Sequence, residues 1–185
     1  MRLLAPALAV VMLTGCGPVF GTGDAGKAEP DTILQVEGSS MEPTLHCARP
    51  GLGCLGARHD DVVVRKAGGI ERREIVAFAV GARARRDCGA GGLFVKRVVA
   101  LAGERVSFGS GAVLVDGRPL REPYADGPTD AAGAAAIVVP PRHVYVLGDN
   151  RAQSCDSRIW GPLAIRRIVG VAVAVQRGGR RVPLP

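Results

Sequence analysis

The sequence predicts a mostly β domain whose antiparallel strands form a coiled, barrel-like sheet. Short runs rich in Val and Ile recur along the chain, punctuated by Gly, Pro or Asp. Asp116-Gly117, directly after Val113-Leu114-Val115, is a strong two-residue hairpin signal. No segment beyond the amino terminus sustains a 3.6-residue apolar period.

In chain order the expected strands cover residues 32–37, 61–66, 74–80, 93–100, 105–108, 112–115, 136–139, 144–147 and 168–176. Residues 83–92, with three Arg and three Gly, read as a surface loop, as do residues 126–133. The 185 residues suit one domain with a sizeable core. The segments expected are 1–16 as a signal or membrane anchor, 17–31 as a tether, 32–178 as the folded domain and 179–185 as a tail.

Met1-Arg2 is followed by an apolar stretch, residues 3–13, too short to span a bilayer, which takes about 20 residues. One positive charge before a short apolar run reads as a secretory signal. The run ends in Leu13-Thr14-Gly15-Cys16, which resembles a bacterial lipobox, with Cys16 as the lipidated residue. The alternative is an uncleaved membrane helix, against which Gly17-Pro18 argues as a helix breaker. Either way the chain is attached to a bacterial cell membrane with its folded part extracytoplasmic.

The cysteines fit that compartment. Besides Cys16 there are Cys47, Cys54, Cys88 and Cys155, an even number that allows three pairings. Cys47 with Cys54 closes a short loop and is the simplest, and Cys88 with Cys155 follows from it. Free thiols and zinc ligation are the alternatives. No Cys-x-x-Cys is present, and His46, His59 and His143 fall into no ligand spacing. No metal or organic cofactor is expected. His46 is expected on the surface.

The net charge of +7 favours anionic lipid head groups as partners. Nucleic acid is the competing partner. The Arg residues are scattered, however, and with 4% aromatic residues there is no stacking surface. Of 24 basic residues only Lys27, Lys66 and Lys96 are lysine. Lys can lose its proton when buried, whereas Arg stays charged. Lys96 lies mid-strand, on the same side as Phe94 and Val98. There an apolar setting disfavours the ammonium form. Exposure on one sheet face is the ordinary alternative.

Ser40 precedes Met41-Glu42-Pro43, a turn or first helical turn. Such a turn aims backbone N–H groups at one point, where an oxyanion can be held. By itself Ser40 reads more often as a helix-capping serine than as a nucleophile. With Lys96 it makes a Ser–Lys hydrolase pair, one of the variants of triad chemistry. The tight loop from Gly148 to Arg158 adds Asp149, Arg151, Asp156 and Arg158 as ion-pairing groups, with Ser154 able to orient the lysine.

Together these segments resemble bacterial type I signal peptidase, the Ser–Lys membrane protease of secretion. The motifs are Ser40-Met41-Glu42-Pro43-Thr44-Leu45, Arg72-Arg73-Glu74-Ile75-Val76-Ala77-Phe78, Lys96-Arg97-Val98 through Glu104, and Gly148-Asp149-Asn150-Arg151 through Arg158 with Trp160-Gly161 behind it. Val115-Asp116-Gly117 through Glu122-Pro123-Tyr124 also fits, and the resemblance covers about residues 32–176. It implies Ser40 as nucleophile, Lys96 as general base and Ser154 as the group that positions Lys96. Arg97 pairs with Asp149, and Asp156 with Arg158. Substrate pockets near Leu34, Val36, Met41, Leu45, Phe94 and Val95 accept the small residues of an Ala-x-Ala pattern in preprotein signal peptides. The substrate adds alongside an enzyme strand, and the enzyme acts as a monomer.

The sequence departs from the family pattern in several places. Gly38 stands where some members carry a hydroxyl donor and has no side chain to supply an oxyanion contact. Glu74 and Glu104 replace the usual Asp, and the cysteine-bearing loops lie outside the shared pattern. Two other readings share parts of these features. One is a self-cleaving Ser–Lys repressor, which needs a DNA-binding amino-terminal domain. The other is a lipid-anchored binding protein without turnover.

Overall fold

A computed structural model describes residues 31–48, 53–55, 58–129 and 135–184. The signal or lipobox segment with Cys16, and the tether up to residue 30, lie outside the described residues.

Among the described residues, twelve strands and two short α-helices follow one another along the chain. These are β1 (Thr32–Gln35), β2 (Asp61–Arg65), β3 (Ile75–Ala79), α1 (Ala82–Cys88), β4 (Leu93–Ala100), β5 (Arg105–Gly109) and β6 (Ala112–Val115). Then come β7 (Arg118–Pro119), β8 (Ile137–Val138), β9 (His143–Leu147), α2 (Ser157–Trp160), β10 (Leu163–Ala164), β11 (Ile168–Arg177) and β12 (Arg180–Pro183). The large sheet has the order β1-β2-β11-β3-β4-β9-β10, with β12 also on β11, and the small sheet runs β7-β6-β5-β8. Every strand pair is antiparallel, as expected.

All nine expected strands are present, several shorter by one or two residues. Residues 82–88 form α1 where the sequence predicts a loop. Two turns of helix, with three exposed Arg, are too short to show an apolar period. Residues 180–183, expected in a tail, form β12 against β11. Among the described residues no helix is long and apolar enough to cross a membrane.

Strand alternation sorts the core. The middle strand β3 is buried on both faces: Ile75 and Ala77 point into a cluster with Met41, Leu45 and Val62, whereas Val76 and Phe78 point into one with Val98, Val146 and Trp160. A third cluster, around Val106, Val113, Tyr145 and Leu147, joins the small sheet to the large one. Register shifts in β11 and β4 mark bulges, which bend strands locally. Two disulfides, Cys47–Cys54 and Cys88–Cys155, staple loops to this frame. They are the pairing that the sequence makes simplest.

Candidate active site

The serine turn is fixed from beneath. Gly38 is extended, and Ser39–Met41 form a single 3-10 turn. Met41 and Leu45 are driven into the core and anchor both ends of the motif. Glu42 N–H donates to Ser39 C=O at 3.0 Å, and Leu45 N–H to Met41 C=O at 2.9 Å. The Ser40 carbonyl accepts from the Asn150 N–H at 3.1 Å, which ties the turn to the 148–158 loop.

Lys96 sits in β4, paired with Val76 of β3. Its side chain is 4% exposed. The amine lies 2.5 Å from Ser40 Oγ and 3.0 Å from the Val95 carbonyl. It also stands 5.2 Å from the Phe94 ring centre, on the side the strand alternation predicts. Burial lowers its pKa to about 8; the carboxylates of Asp156 and Asp149 pull the other way, and Arg158 adds to the lowering. An amine of that basicity, in contact with a hydroxyl, can take the hydroxyl proton near neutral pH.

Two buried ion pairs brace the dyad. Arg97 grips Asp149 with a two-pronged contact, Nε to Oδ1 at 2.9 Å and Nη2 to Oδ2 at 2.7 Å. Its third arm donates to the Arg73 carbonyl at 2.8 Å, and its plane stacks on Tyr124 at 4.0 Å. Thr44 Oγ1 donates to Asp149 at 2.6 Å, so one carboxylate links the serine turn, the lysine strand and the loop. Asp156 accepts from Gly148 N–H at 3.0 Å and from Arg158 Nε at 2.8 Å, and it caps α2. Arg151 pairs with Glu122 and donates to the Gly148 carbonyl at 3.0 Å.

Ser154 differs from expectation. Its hydroxyl is buried and has no hydrogen-bond partner, so the expected contact with Lys96 is not formed. It lies beside Gly148. A side chain at Gly148 would run into both Ser154 Oγ and the Ser40 carbonyl, so only glycine lets the loop approach the serine.

A groove of about 750 Å³ opens at the dyad. Leu34, Val36, Met41, Leu45, Phe94 and Val95, the six residues expected to contact substrate, all line it. On one side it is flanked by β1, which among the described residues pairs with β2 alone and has its other edge open for an added strand.

Three features were not legible in the sequence. Buried Glu42 accepts from the N–H groups of Cys47 at 3.1 Å and Leu55 at 3.0 Å, and contacts His46 Nδ1 at 2.6 Å. It thereby organises the Cys47–Cys54 loop. His46, expected at the surface, is half-buried against that carboxylate. Gln153, exposed on the groove, accepts from Ser39 Oγ at 3.0 Å.

Residues 29–176 match the family model described as "Signal peptidase, peptidase S26". A signal peptidase I of Bacillus caldolyticus is 34% identical over 148 residues, covering 73% of this chain and 73% of that one. A signal peptidase I of Leptolyngbya laminosa is 42% identical over 96 residues, 50% of this chain and 47% of that one, so the match spans about half of that relative's length. A crystal structure of a signal peptidase I from Enterococcus faecalis overlaps with a TM-score of 0.45 at 26% identity, covering 57% of this chain and 98% of that chain. The chain belongs to the signal peptidase family, peptidase S26.

Proposed function

We propose that the protein is a membrane-attached serine endopeptidase that cleaves signal peptides from exported preproteins. The observation that carries this reading is the 2.5 Å contact between Ser40 Oγ and a buried Lys96 amine of lowered pKa. Neutral Lys96 takes the Ser40 proton as the hydroxyl oxygen attacks the scissile carbonyl. The backbone N–H of Ser40 helps to hold the oxyanion. The protonated amine then gives its proton to the departing amine nitrogen, leaving an acyl-enzyme. Water that surrenders a proton to the same amine releases the acyl group and restores Ser40. The ion pairs of Arg97 with Asp149 and Arg158 with Asp156 hold the loop in place. Ser154 is the proposed positioning residue for Lys96, and its hydroxyl has no hydrogen-bond partner in the free protein.

The groove takes the residues before the scissile bond as an extra strand, with small side chains in an Ala-x-Ala pattern against Leu34, Val36, Met41, Leu45, Phe94 and Val95. Family membership supports this substrate class. We further propose residues 32–178 as the peptidase unit, working as a monomer outside the cytoplasm. Residues 1–16, through lipidated Cys16 or a membrane helix, and the 17–31 tether hold it on the lipid surface. Ser40→Ala and Lys96→Arg are each expected to abolish cleavage of a preprotein, the second because Arg keeps its proton. Substantial cleavage by either variant overturns the mechanism.

A further inference from the structure

The disulfide between Cys88 and Cys155 joins two parts of the site that are far apart in the chain. Cys88 is the last residue of α1, and the chain runs on from it into β4 and so to Lys96. Cys155 stands 67 residues further on, between Ser154 and Asp156 in the loop beside the dyad. That loop is tied ahead of Cys155 by the Arg97–Asp149 pair. Behind it, Asp156 accepts from the Gly148 N–H, and Ser157 Oγ accepts from the Val146 N–H at 3.1 Å. Between those ties the bond to Cys88 is the covalent pin. Both cysteines are partly exposed and line the groove with Ser40 and Lys96, so the bond is open to a solute in the groove. Cys88, Cys155 and Phe94 pack against one core cluster that contains Phe78 and Trp160. The Phe94 ring lies 6.1 Å from that of Phe78, and its other neighbour is the Lys96 amine. The pin and the ring that shields the amine therefore share one packing.

We propose that Cys88–Cys155 is a site of thiol–disulfide exchange with a dithiol that enters the groove, and that its oxidised form holds the catalytic loop closed over Lys96. The proposal rests on the peptidase reading. In the exchange a thiolate of the dithiol attacks one cysteine sulfur, and the other cysteine leaves as a thiolate. The dithiol's second sulfur then displaces the first cysteine. Two electrons pass to the protein, the dithiol becomes a disulfide, and the two cysteines take up the two protons it gives up. Strand pairing and core burial hold the sheets without this bond, so reduction loosens residues 152–155 and leaves the frame in place. Asp149, Asp156 and Arg158, the charged groups that act on Lys96, stay fixed by their own ion pairs. What changes is the burial, which is the main cause of the lowered basicity of the amine. Water admitted through the loosened loop returns the amine towards its ordinary, charged form.

Cleavage of a labelled signal-peptide substrate as a function of pH, with dithiothreitol as the probe, tests this. In the oxidised protein kcat/KM levels off near pH 8. After dithiothreitol, with the opened bond identified by alkylation and peptide mapping, the bend is expected to move up by at least about one pH unit. Activity at pH 7 then falls about tenfold or more, while activity on the plateau stays within about threefold of the oxidised protein. Reoxidation should restore the first profile. Cys88→Ser/Cys155→Ser protein, which keeps Cys47–Cys54, should show the shifted profile and no further response to dithiothreitol. A bond that dithiothreitol does not open, an unmoved bend once it is open, an equal loss at every pH, or a response to dithiothreitol in the double variant overturns the proposal. If the double variant does not fold, the reduced wild type decides alone, and loss of its fold by circular dichroism also overturns the proposal. Failure of the peptidase reading looks different, since the oxidised protein would then cut the substrate at no pH.

Discussion

Replacing Lys96 by methionine separates what the lysine does for chemistry from what it does to stability. In the fold its pKa falls from 10.5 to about 8, chiefly through burial. At about 1.36 kcal/mol per pKa unit, holding the ammonium form inside the fold at pH 7 costs about 3 kcal/mol. Methionine has similar length and no charge, so it removes that cost without opening a cavity. The lost contact with Ser40 Oγ offsets about 1 kcal/mol of the gain. The variant is therefore expected to be about 2 kcal/mol more stable than wild type at pH 7, and inactive. Because the folded pKa is the lower one, the penalty is fully present below pH 8, shrinks between about 8 and 10.5, and vanishes above. The gain at pH 10 should accordingly be close to zero. Urea unfolding at pH 7 and pH 10, followed by tryptophan fluorescence from Trp160, measures both. A methionine variant less stable than wild type at pH 7, or equally stabilised at both pH values, refutes the assignment of Lys96 as a desolvated amine.

Two further outcomes follow from the same geometry. With the amine at about 8, kcat/KM for peptide cleavage should rise tenfold per pH unit up to about pH 8 and level off above it, and a plateau already reached at pH 6 contradicts this. Gly148→Ala should lower kcat about 100-fold or more with the fold retained by circular dichroism, because the added methyl displaces the Ser40 carbonyl or Ser154; wild-type kcat would show that the loop yields without moving Ser40.

The strands were legible because Val and Ile runs carry their own period. Elements decided by context were not. α2 has four residues and exists because Asp156 caps it and Trp160 is drawn into the core. β12 carries Arg180 and Arg181 beside a single Val182, too little apolar pattern to announce a strand before β11 offers its edge. At the site, Ser40 and Lys96 were readable from motifs with fixed residue types. The role of Thr44 was not, since it depends on Asp149, 105 residues away. Glu42 was opaque for a related reason: its partners come from a loop that the Cys47–Cys54 disulfide closes. Ser154 shows the opposite case, a motif residue whose expected contact the free protein does not make.

The two ion pairs around the dyad also bear on how a lysine could serve as the base in the proposed mechanism. Asp149 and Asp156 both act on Lys96 by raising its pKa, and left bare they would keep the amine charged. Arg97 and Arg158 neutralise them with short, two-pronged contacts, and Arg158 itself pushes the lysine pKa down. Arginine suits that task because it does not give up its proton and its planar fork matches a carboxylate. Lysine suits the neighbouring position because it can give its proton up. Arg97 and Lys96 are adjacent in β4, and strand alternation sends them to opposite sides. One side carries the permanent charge that holds the loop, and the other carries the amine that touches Ser40. Exchanging the two residue types would place a fixed charge against the hydroxyl and a removable one against Asp149, so the order Lys-Arg is itself part of the proposed chemistry.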